Sequence, residues 1–132
     1  MTQKGDSRMP RILDGGIRSL AIAGAWGYIG RKFLDAAMKL GIETFVFDTA
    51  EPPSDMDLDR VRRFDDASRF YSIPADLFHL ALHPEHRRAG LDRLLERSRN
   101  EEVAILCEKP MASPEHPEDC SELIEATRAS RV

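Results

Sequence analysis

Three glycines recur at every third residue in the segment Gly24-Ala25-Trp26-Gly27-Tyr28-Ile29-Gly30. Glycine permits a tight turn and lets backbone N–H groups approach a phosphate, and a helix that begins there adds partial positive charge. The first two glycines are one residue further apart than in the common G-x-G-x-x-G pattern. The segment predicts a phosphate-binding turn, and a purely structural turn is the alternative. Its predicted dinucleotide contacts are Gly24, Trp26, Gly27, Tyr28, Ile29 and Gly30.

A carboxylate, Asp48, ends the next apolar run, eighteen residues after Gly30. An acid at this place accepts hydrogen bonds from the 2′- and 3′-hydroxyls of an adenosine ribose and repels a 2′-phosphate. No Arg or Lys follows it closely, since Thr49-Ala50-Glu51 comes next. We therefore expect NAD(H) to bind in preference to NADP(H). The alternative is an Asp48 that only caps the following turn.

Three histidines, His79, His83 and His86, lie close together along the chain. The first is inside a predicted strand, the second at its end and the third in the next helical turn, so their side chains need not converge. No carboxylate or cysteine completes a set with a known metal-ligand spacing. We predict no metal site, a satisfied or solvent-facing His79, and a ligand contact for His86.

A last apolar strand ends abruptly in Glu108-Lys109-Pro110. In a parallel sheet the carboxyl ends of the strands form the edge at which ligands bind, so this sequence brings a cation to that edge. An isolated Glu-Lys pair is more often a solvated part of the surface, and that is the alternative interpretation.

The elements that must position these residues alternate between strand and helix. Apolar and β-branched runs predict strands, and apolar residues three and four apart predict helices. The predicted strands are residues 17–23, 44–48, 61–64, 76–82 and 103–107. Helices are predicted over 29–40, with Gly41 as the C-terminal cap, from Pro84 and from about Pro117, and a single helical turn is predicted from Asp65. Residues 49–60 are predicted to be a loop. This alternation predicts an α/β fold, in which right-handed crossovers bring all the carboxyl strand ends, and the residues above, to one edge.

Composition limits the classes of partner. The 132 residues suit one domain, residues 17–132, preceded by a flexible leader over 1–16. A formal charge of −4 argues against nucleic acid as the main partner, and no apolar run approaches the length of a membrane span. Two cysteines are too few for a disulfide framework, so a reduced, cytoplasmic location is expected.

The chain from about Ile17 to Arg131 resembles the N-terminal domain of the Gfo/Idh/MocA oxidoreductases, the glucose-fructose oxidoreductase and inositol dehydrogenase type. The resemblance rests on the glycine turn and its helix, on Asp48, on DLFHLALHPEH (76–86) and on VAILCEKPMA (103–112). It implies a single Rossmann-type domain, a doubly wound parallel sheet that binds NAD(P) for hydride transfer to or from a sugar, cyclitol or related alcohol. It further implies that Lys109 is catalytic, beside the nicotinamide and the substrate. The cofactor contacts implied at this end are Leu82, His83, His86 and Glu108, with Leu82-His83 standing where the family usually has Thr-Pro.

Two functional hypotheses follow. In the first, the chain is the cofactor-binding half of a two-domain oxidoreductase, without the C-terminal substrate domain and not catalytic alone. In the second, it is a stand-alone nucleotide-binding module that regulates or docks on a partner. A short-chain dehydrogenase is rejected, because the Tyr28–Lys32 pair has the Tyr-x-x-x-Lys spacing but lies in the phosphate turn. In a doubly wound sheet of order 3-2-1-4-5-6, a missing sixth strand leaves 103–107 as an apolar edge, which we expect self-association or a partner chain to cover.

Overall fold

A computed structural model describes residues 16–132, in which strands and helices alternate except between the second and third strands. Apart from Gly16, the predicted leader lies outside the described residues. The strands are β1 (Ser19–Ala23), β2 (Glu43–Phe47), β3 (Arg62–Phe64), β4 (Leu77–Leu80) and β5 (Ile105–Cys107). The helices are α1 (Tyr28–Lys39), α2 (Ala67–Phe70), α3 (Pro84–Arg97) and α4 (Glu118–Arg128).

The five strands of the described region form one parallel sheet in the order β3-β2-β1-β4-β5. The chain winds outward from β1 to β3 and then returns to place β4 on the other side of β1. Ala23 is level with Phe47 on one side and with Leu80 on the other, and Leu80 is level with Cys107. The carboxyl ends therefore share one edge, and the predicted Rossmann-type, doubly wound α/β fold is confirmed.

Alternate residues of each strand face opposite layers. On one face Ile22 and Val46 pack with Leu34 and Ala37 of α1. On the other, the strands meet α2, α3 and α4 around an aromatic cluster. The members of that cluster are Phe47, Phe64, Phe70, Tyr71 and Phe78. Burying both faces explains why β1, β2 and β4 are nearly continuous apolar runs.

Local signals fix most element ends. Gly41 has φ +71° directly after the cap of α1, so the predicted glycine stop is confirmed. Pro84 is the first residue of α3, where its missing N–H costs nothing. The segment 49–60 contains neither helix nor strand, as predicted. None of the helices in residues 16–132 has the length and apolar character needed to cross a membrane.

A buried acid joins β1 and β4 at the amino edge of the sheet. One oxygen of Asp76 accepts from the N–H groups of Arg18 (2.8 Å) and Ser19 (3.2 Å), and the Ser19 hydroxyl accepts from the N–H of Asp76 (2.9 Å). Asp76 begins one of the segments that carry the family resemblance, yet these contacts are structural. They align the two central strands, whose far ends carry the candidate site.

Candidate functional site

The first and third glycines of the turn are required by its packing. Gly24 has φ +83°, and a Cβ there would lie 2.8 Å from backbone atoms of Ala81 and Leu82. A Cβ on Gly30 would overlap the carbonyl oxygen of Gly24 and lie 2.9 Å from its carbonyl carbon. A Cβ on Gly27 would meet only that same oxygen, at an ordinary 3.6 Å. The middle glycine is therefore not explained by packing within the chain.

The turn opens directly into the N-terminus of α1. Gly27 is the N-cap residue and supplies no side-chain cap, and the first turn carries no acidic residue. The N–H groups of Tyr28, Ile29 and Gly30 belong to this first turn, where a helix offers them no carbonyl of its own. Trp26 and Ile29 are half-buried beside it, and Tyr28 is exposed. An uncapped, acid-free helix start behind a glycine turn suits an anion.

Asp48 connects β2 to the glycine turn. Its Oδ2 accepts from the N–H of Trp26 at 3.0 Å, and its Oδ1 accepts from the N–H of Ala50 at 3.0 Å. The second contact is the turn cap that was the alternative for this residue. Because each carboxylate oxygen has two acceptor sites, both oxygens retain one for a further donor. Asp48 thus caps its own turn and lies against the predicted phosphate turn.

A cation from a neighbouring strand lies near this loop, and the residues directly after Asp48 in the sequence do not indicate it. Arg63 comes from β3, the neighbour of β2, and its NH2 lies 3.9 Å from Oε2 of Glu51. Glu51 follows Asp48 by three residues. Both side chains are largely exposed. The pair brings one positive and one negative charge to the loop that follows β2.

The end of β4 packs against the turn and leads into α3. The N atom of Leu82 is among those that exclude a side chain at Gly24, so Leu82 lies beside the glycine turn. His83 is the N-cap residue of α3, with its Nδ1 3.5 Å from the N of Glu85. His83 and His86 lie 3.7 Å and 3.5 Å from the Glu85 carboxylate, and both are well exposed. The two imidazoles therefore share an acid at the exposed start of α3.

A buried histidine, His79, contacts the Glu108-Lys109-Pro110 segment through the Glu108 carboxylate. The His79 ring is fully buried, and its Nε2 lies 2.8 Å from Oε2 of Glu108. Of the two states expected for His79, satisfied or solvent-facing, the structure shows the satisfied one at Nε2, whereas Nδ1 has no hydrogen-bond partner among residues 16–132. Glu108 is partly buried, Lys109 is exposed, and the Lys109–Pro110 peptide bond is cis.

Arg87 is a second buried side chain at this edge that sequence reasoning missed. It is 3% exposed, donates from NH2 to the carbonyl of Leu82 at 2.7 Å, and donates from NH1 to the carbonyl of Pro110. Burial raises the pKa of the Cys107 thiol, and the Arg87 guanidinium partly opposes that rise. A signal was present, because Arg87 precedes the buried Leu91 by four residues and so falls on the inner face of α3.

These features define a class of domain. A parallel sheet of order β3-β2-β1-β4-β5, with a glycine turn in its first crossover and an acid ending its second strand, is a Rossmann-type α/β domain. No protein-family model matches the sequence, and no curated protein matches it.

Solved structures resemble the chain in fold. UDP-N-acetylglucosamine 3-dehydrogenase GnnA from Acidithiobacillus ferrooxidans matches at 17% identity and TM-score 0.59, over 83% of this chain and 33% of GnnA. The WlbA (WbpB) dehydrogenase from Thermus thermophilus, solved with NAD and alpha-ketoglutarate, matches at 20% identity and TM-score 0.58, over 85% of this chain and 39% of WlbA. At such identities the likeness establishes the fold, and the chain spans well under half of either dehydrogenase.

Proposed function

We propose that this chain is the dinucleotide-binding domain of a Gfo/Idh/MocA-type oxidoreductase that acts on a sugar, cyclitol or related alcohol carbon. The observation that carries the proposal is the hydrogen bond from the Trp26 N–H to Asp48, 3.0 Å long, which joins the glycine turn to the acid at the ligand edge of the sheet. The fold shared with GnnA and with NAD-bound WlbA supports the same assignment. The reaction, the substrate and the further domain it implies belong to this proposal.

The residues present fit a dinucleotide. Gly24 and Gly30 keep the turn compact, and Gly27 lacks a side chain at the exposed helix start, where the pyrophosphate would lie. Asp48 has acceptor capacity left for the ribose hydroxyls. Leu82, His83, His86 and Glu108 would border the nicotinamide end, to which they were assigned by family resemblance.

The bound cofactor would supply hydride transfer, and this chain's own contribution would centre on Lys109. The Lys109 side chain is exposed at the carboxyl edge, directly after β5. An ammonium group beside a reacting hydroxyl or carbonyl orients it and stabilises negative charge that develops on its oxygen. Glu108 is tied to His79, so Lys109 is the charged residue of the segment that is left to meet a substrate.

NAD(H) is proposed over NADP(H). The Asp48 carboxylate would accept from the 2′-hydroxyl and repel a 2′-phosphate. Arg63 is the nearby cation that would favour the phosphate, but it is paired with Glu51. Removing the negative charge of Asp48 should therefore change the ratio of the two affinities.

Calorimetric titration with NADH and NADPH tests the proposal. We expect the unmodified chain to bind NADH more tightly than NADPH. Asp48→Asn should weaken the binding of NADH at least tenfold, because a hydrogen bond to a charged group contributes about 1.5–3 kcal/mol. The same change should leave the binding of NADPH unchanged or make it tighter. Asp35→Asn, at an exposed position of α1, makes the same charge change away from the turn and is the matched control. Tighter binding of NADPH by the unmodified chain, or equal effects of the two variants, would contradict the assignment.

We also propose that the β5 edge is covered by a second copy or by another chain. The Ala104 carbonyl accepts from the N–H of Phe78, and the Glu108 N–H donates to the carbonyl of Leu80. The alternate residues Ile105 and Cys107 therefore turn their backbone groups away from β4. Leu106, between them, is 37% exposed. An apolar, unpaired edge invites strand pairing.

A further inference from the structure

The exposed Lys109 lies between two residues that are each held by a buried side chain. His79 binds the carboxylate of Glu108, and Arg87 binds the carbonyl of Pro110. His79 is fully buried and Arg87 is 3% exposed. The two anchors come from different elements, β4 and α3, so the segment is fixed from both sides of Lys109.

His79 is poorly explained as a core residue. Its ring packs on Phe33 of α1 with centroids 4.0 Å apart, an environment in which a leucine or phenylalanine leaves no polar atom unpaired. Since a carboxylate only accepts, Nε2 carries the proton in the contact with Glu108, and Nδ1 is left buried without a partner in the described part of the chain. A buried polar atom without a partner is destabilising. What the histidine adds in return is a fixed position for the Glu108 carboxylate.

Arg87, like His79, is a buried polar side chain whose hydrogen bonds do not satisfy all of its polar atoms. Within residues 16–132 its hydrogen bonds go to two neutral carbonyls, those of Leu82 and Pro110, and its Nε is buried without a partner. Burying a guanidinium without a carboxylate among its hydrogen-bond acceptors costs free energy that an apolar side chain would avoid. The compensating effect is geometric, because one rigid planar group ties the loop after β4 to the segment after β5.

We propose that His79 and Arg87 are positioning residues, which together hold Lys109 in place at the carboxyl edge of the sheet. His79 acts through the residue before Lys109, and Arg87 acts through the residue after it. Arg87 also couples this segment to Leu82, so the two loops assigned to the nicotinamide end keep a fixed separation. The inference rests on the proposed role of Lys109 for its functional meaning, but the positioning itself is a property of the chain without any ligand.

Amide hydrogen exchange at Glu108, whose N–H donates to the carbonyl of Leu80 at 3.2 Å, tests the positioning directly when it is measured on the full chain without dinucleotide. We expect His79→Leu and Arg87→Met to raise exchange at this amide at least tenfold. His79→Gln and Arg87→Lys each retain a donor and should recover much of the protection. Phe78→Leu is the matched control for His79, because it truncates a buried residue of the same strand on the opposite face.

A second variant keeps the test valid if His79→Leu does not fold. Glu108 is partly exposed, so Glu108→Ala releases the same anchor with little risk to the core, whereas Glu108→Gln keeps an oxygen that accepts from Nε2. We expect Glu108→Ala to lower the exchange protection of the residue 108 amide and Glu108→Gln to preserve it. The Lys109 side-chain NMR signals should move in Glu108→Ala and remain near their original position in Glu108→Gln.

Three results would overturn the proposal. Exchange at the Glu108 amide within twofold of the unmodified chain in both His79→Leu and Arg87→Met would show that neither residue holds the segment. Equal exchange in the conservative and the truncated variants would show that the polar contacts do not matter. An equal increase in Phe78→Leu would mean a general loss of stability. A failure of NADH to bind would refute the proposed function and leave the exchange results unaffected.

Discussion

Replacing Gly30 with alanine adds one methyl group at a point where the structure leaves no room for it. The new Cβ would overlap the carbonyl oxygen of Gly24 and lie 2.9 Å from its carbon and 3.0 Å from the Cα of Ala25. All three are backbone atoms, so no side-chain rotation relieves the overlap, and the start of α1 must move away from the turn. Gly30 is buried, and Leu34 one turn later packs on the sheet, so that movement disturbs the core.

The net effect follows from two opposing contributions. Alanine in a helix is favoured over glycine by about 1 kcal/mol. Overpacking costs about 1–3 kcal/mol, and contacts made only with backbone belong at or above the top of that range. We therefore expect Gly30→Ala to lower the free energy of unfolding by about 2 kcal/mol, which corresponds to a fall in Tm of roughly 6–12 °C for a domain of this size.

Gly27→Ala is the matched control within the same turn. Gly27 has φ −74°, which any residue adopts, and its Cβ would make only an ordinary 3.6 Å contact. We expect the free energy of unfolding of Gly27→Ala to stay within about 0.5 kcal/mol of the unmodified chain, because the weaker N-cap is offset by a less flexible unfolded chain. If the turn binds a pyrophosphate, a methyl group at this exposed position should still weaken NADH at least tenfold.

Urea unfolding followed by far-UV circular dichroism measures the first effect, and NADH calorimetry measures the second. Stability of Gly30→Ala within about 0.5 kcal/mol of the unmodified chain would refute the packing argument. Equal destabilisation by Gly27→Ala would refute the distinction between the two glycines. If Gly27→Ala binds NADH as tightly as the unmodified chain, the proposal that the pyrophosphate lies at this turn is contradicted.

Two further predictions concern other parts of the domain. Burial raises the pKa of Tyr71 to about 12, with Arg93 opposing the rise, so the folded pKa exceeds the usual value near 10. The stabilising contribution is complete below pH 10 and is lost as the pH rises toward 12, by up to about 3 kcal/mol. Urea unfolding at pH 9 and pH 11.5 should show the unmodified chain losing stability relative to Tyr71→Phe, and parallel losses would contradict this. For the β5 edge, light scattering should detect a dimer or larger species that Leu106→Lys dissociates, whereas a monodisperse monomer of the unmodified chain would argue against a second copy.

The fold was predictable because its signals are local. A short apolar run predicts a strand that is buried on both faces. Pro84 and the spacing of Leu91, Leu94 and Leu95 predict α3. The order of strands follows from short, right-handed crossovers. Strand ends were less predictable, since β5 covers only Ile105–Cys107 of the predicted 103–107. At its start, the N–H of Val103 bonds to the carbonyl of Arg131 instead, a contact that no local pattern indicates.

The candidate site was predictable only in part, for the same reason. Gly24, Gly30 and Asp48 lie at element ends, where residue type and position along the chain are sufficient signals. The contact between His79 and Glu108 joins residues 29 positions apart, and that between Arg87 and Pro110 joins residues 23 apart. In the sequence, each partner alone resembles an ordinary polar residue. The two contacts can be recognised only once β4, α3 and β5 are packed together.

The distribution of unpaired polar atoms supports a function for this edge independently of any resemblance. Among the described residues, the buried hydroxyls of Thr44 and Ser98 each donate to a backbone carbonyl, and Asp76 accepts from two N–H groups. The two buried side-chain nitrogens without a partner in that region belong to His79 and Arg87. Selection for stability alone would replace such groups, because an apolar side chain of similar size removes the cost. Their coincidence at the Glu108-Lys109-Pro110 segment indicates that the position of this segment, rather than the packing of the core, is what the two residues maintain.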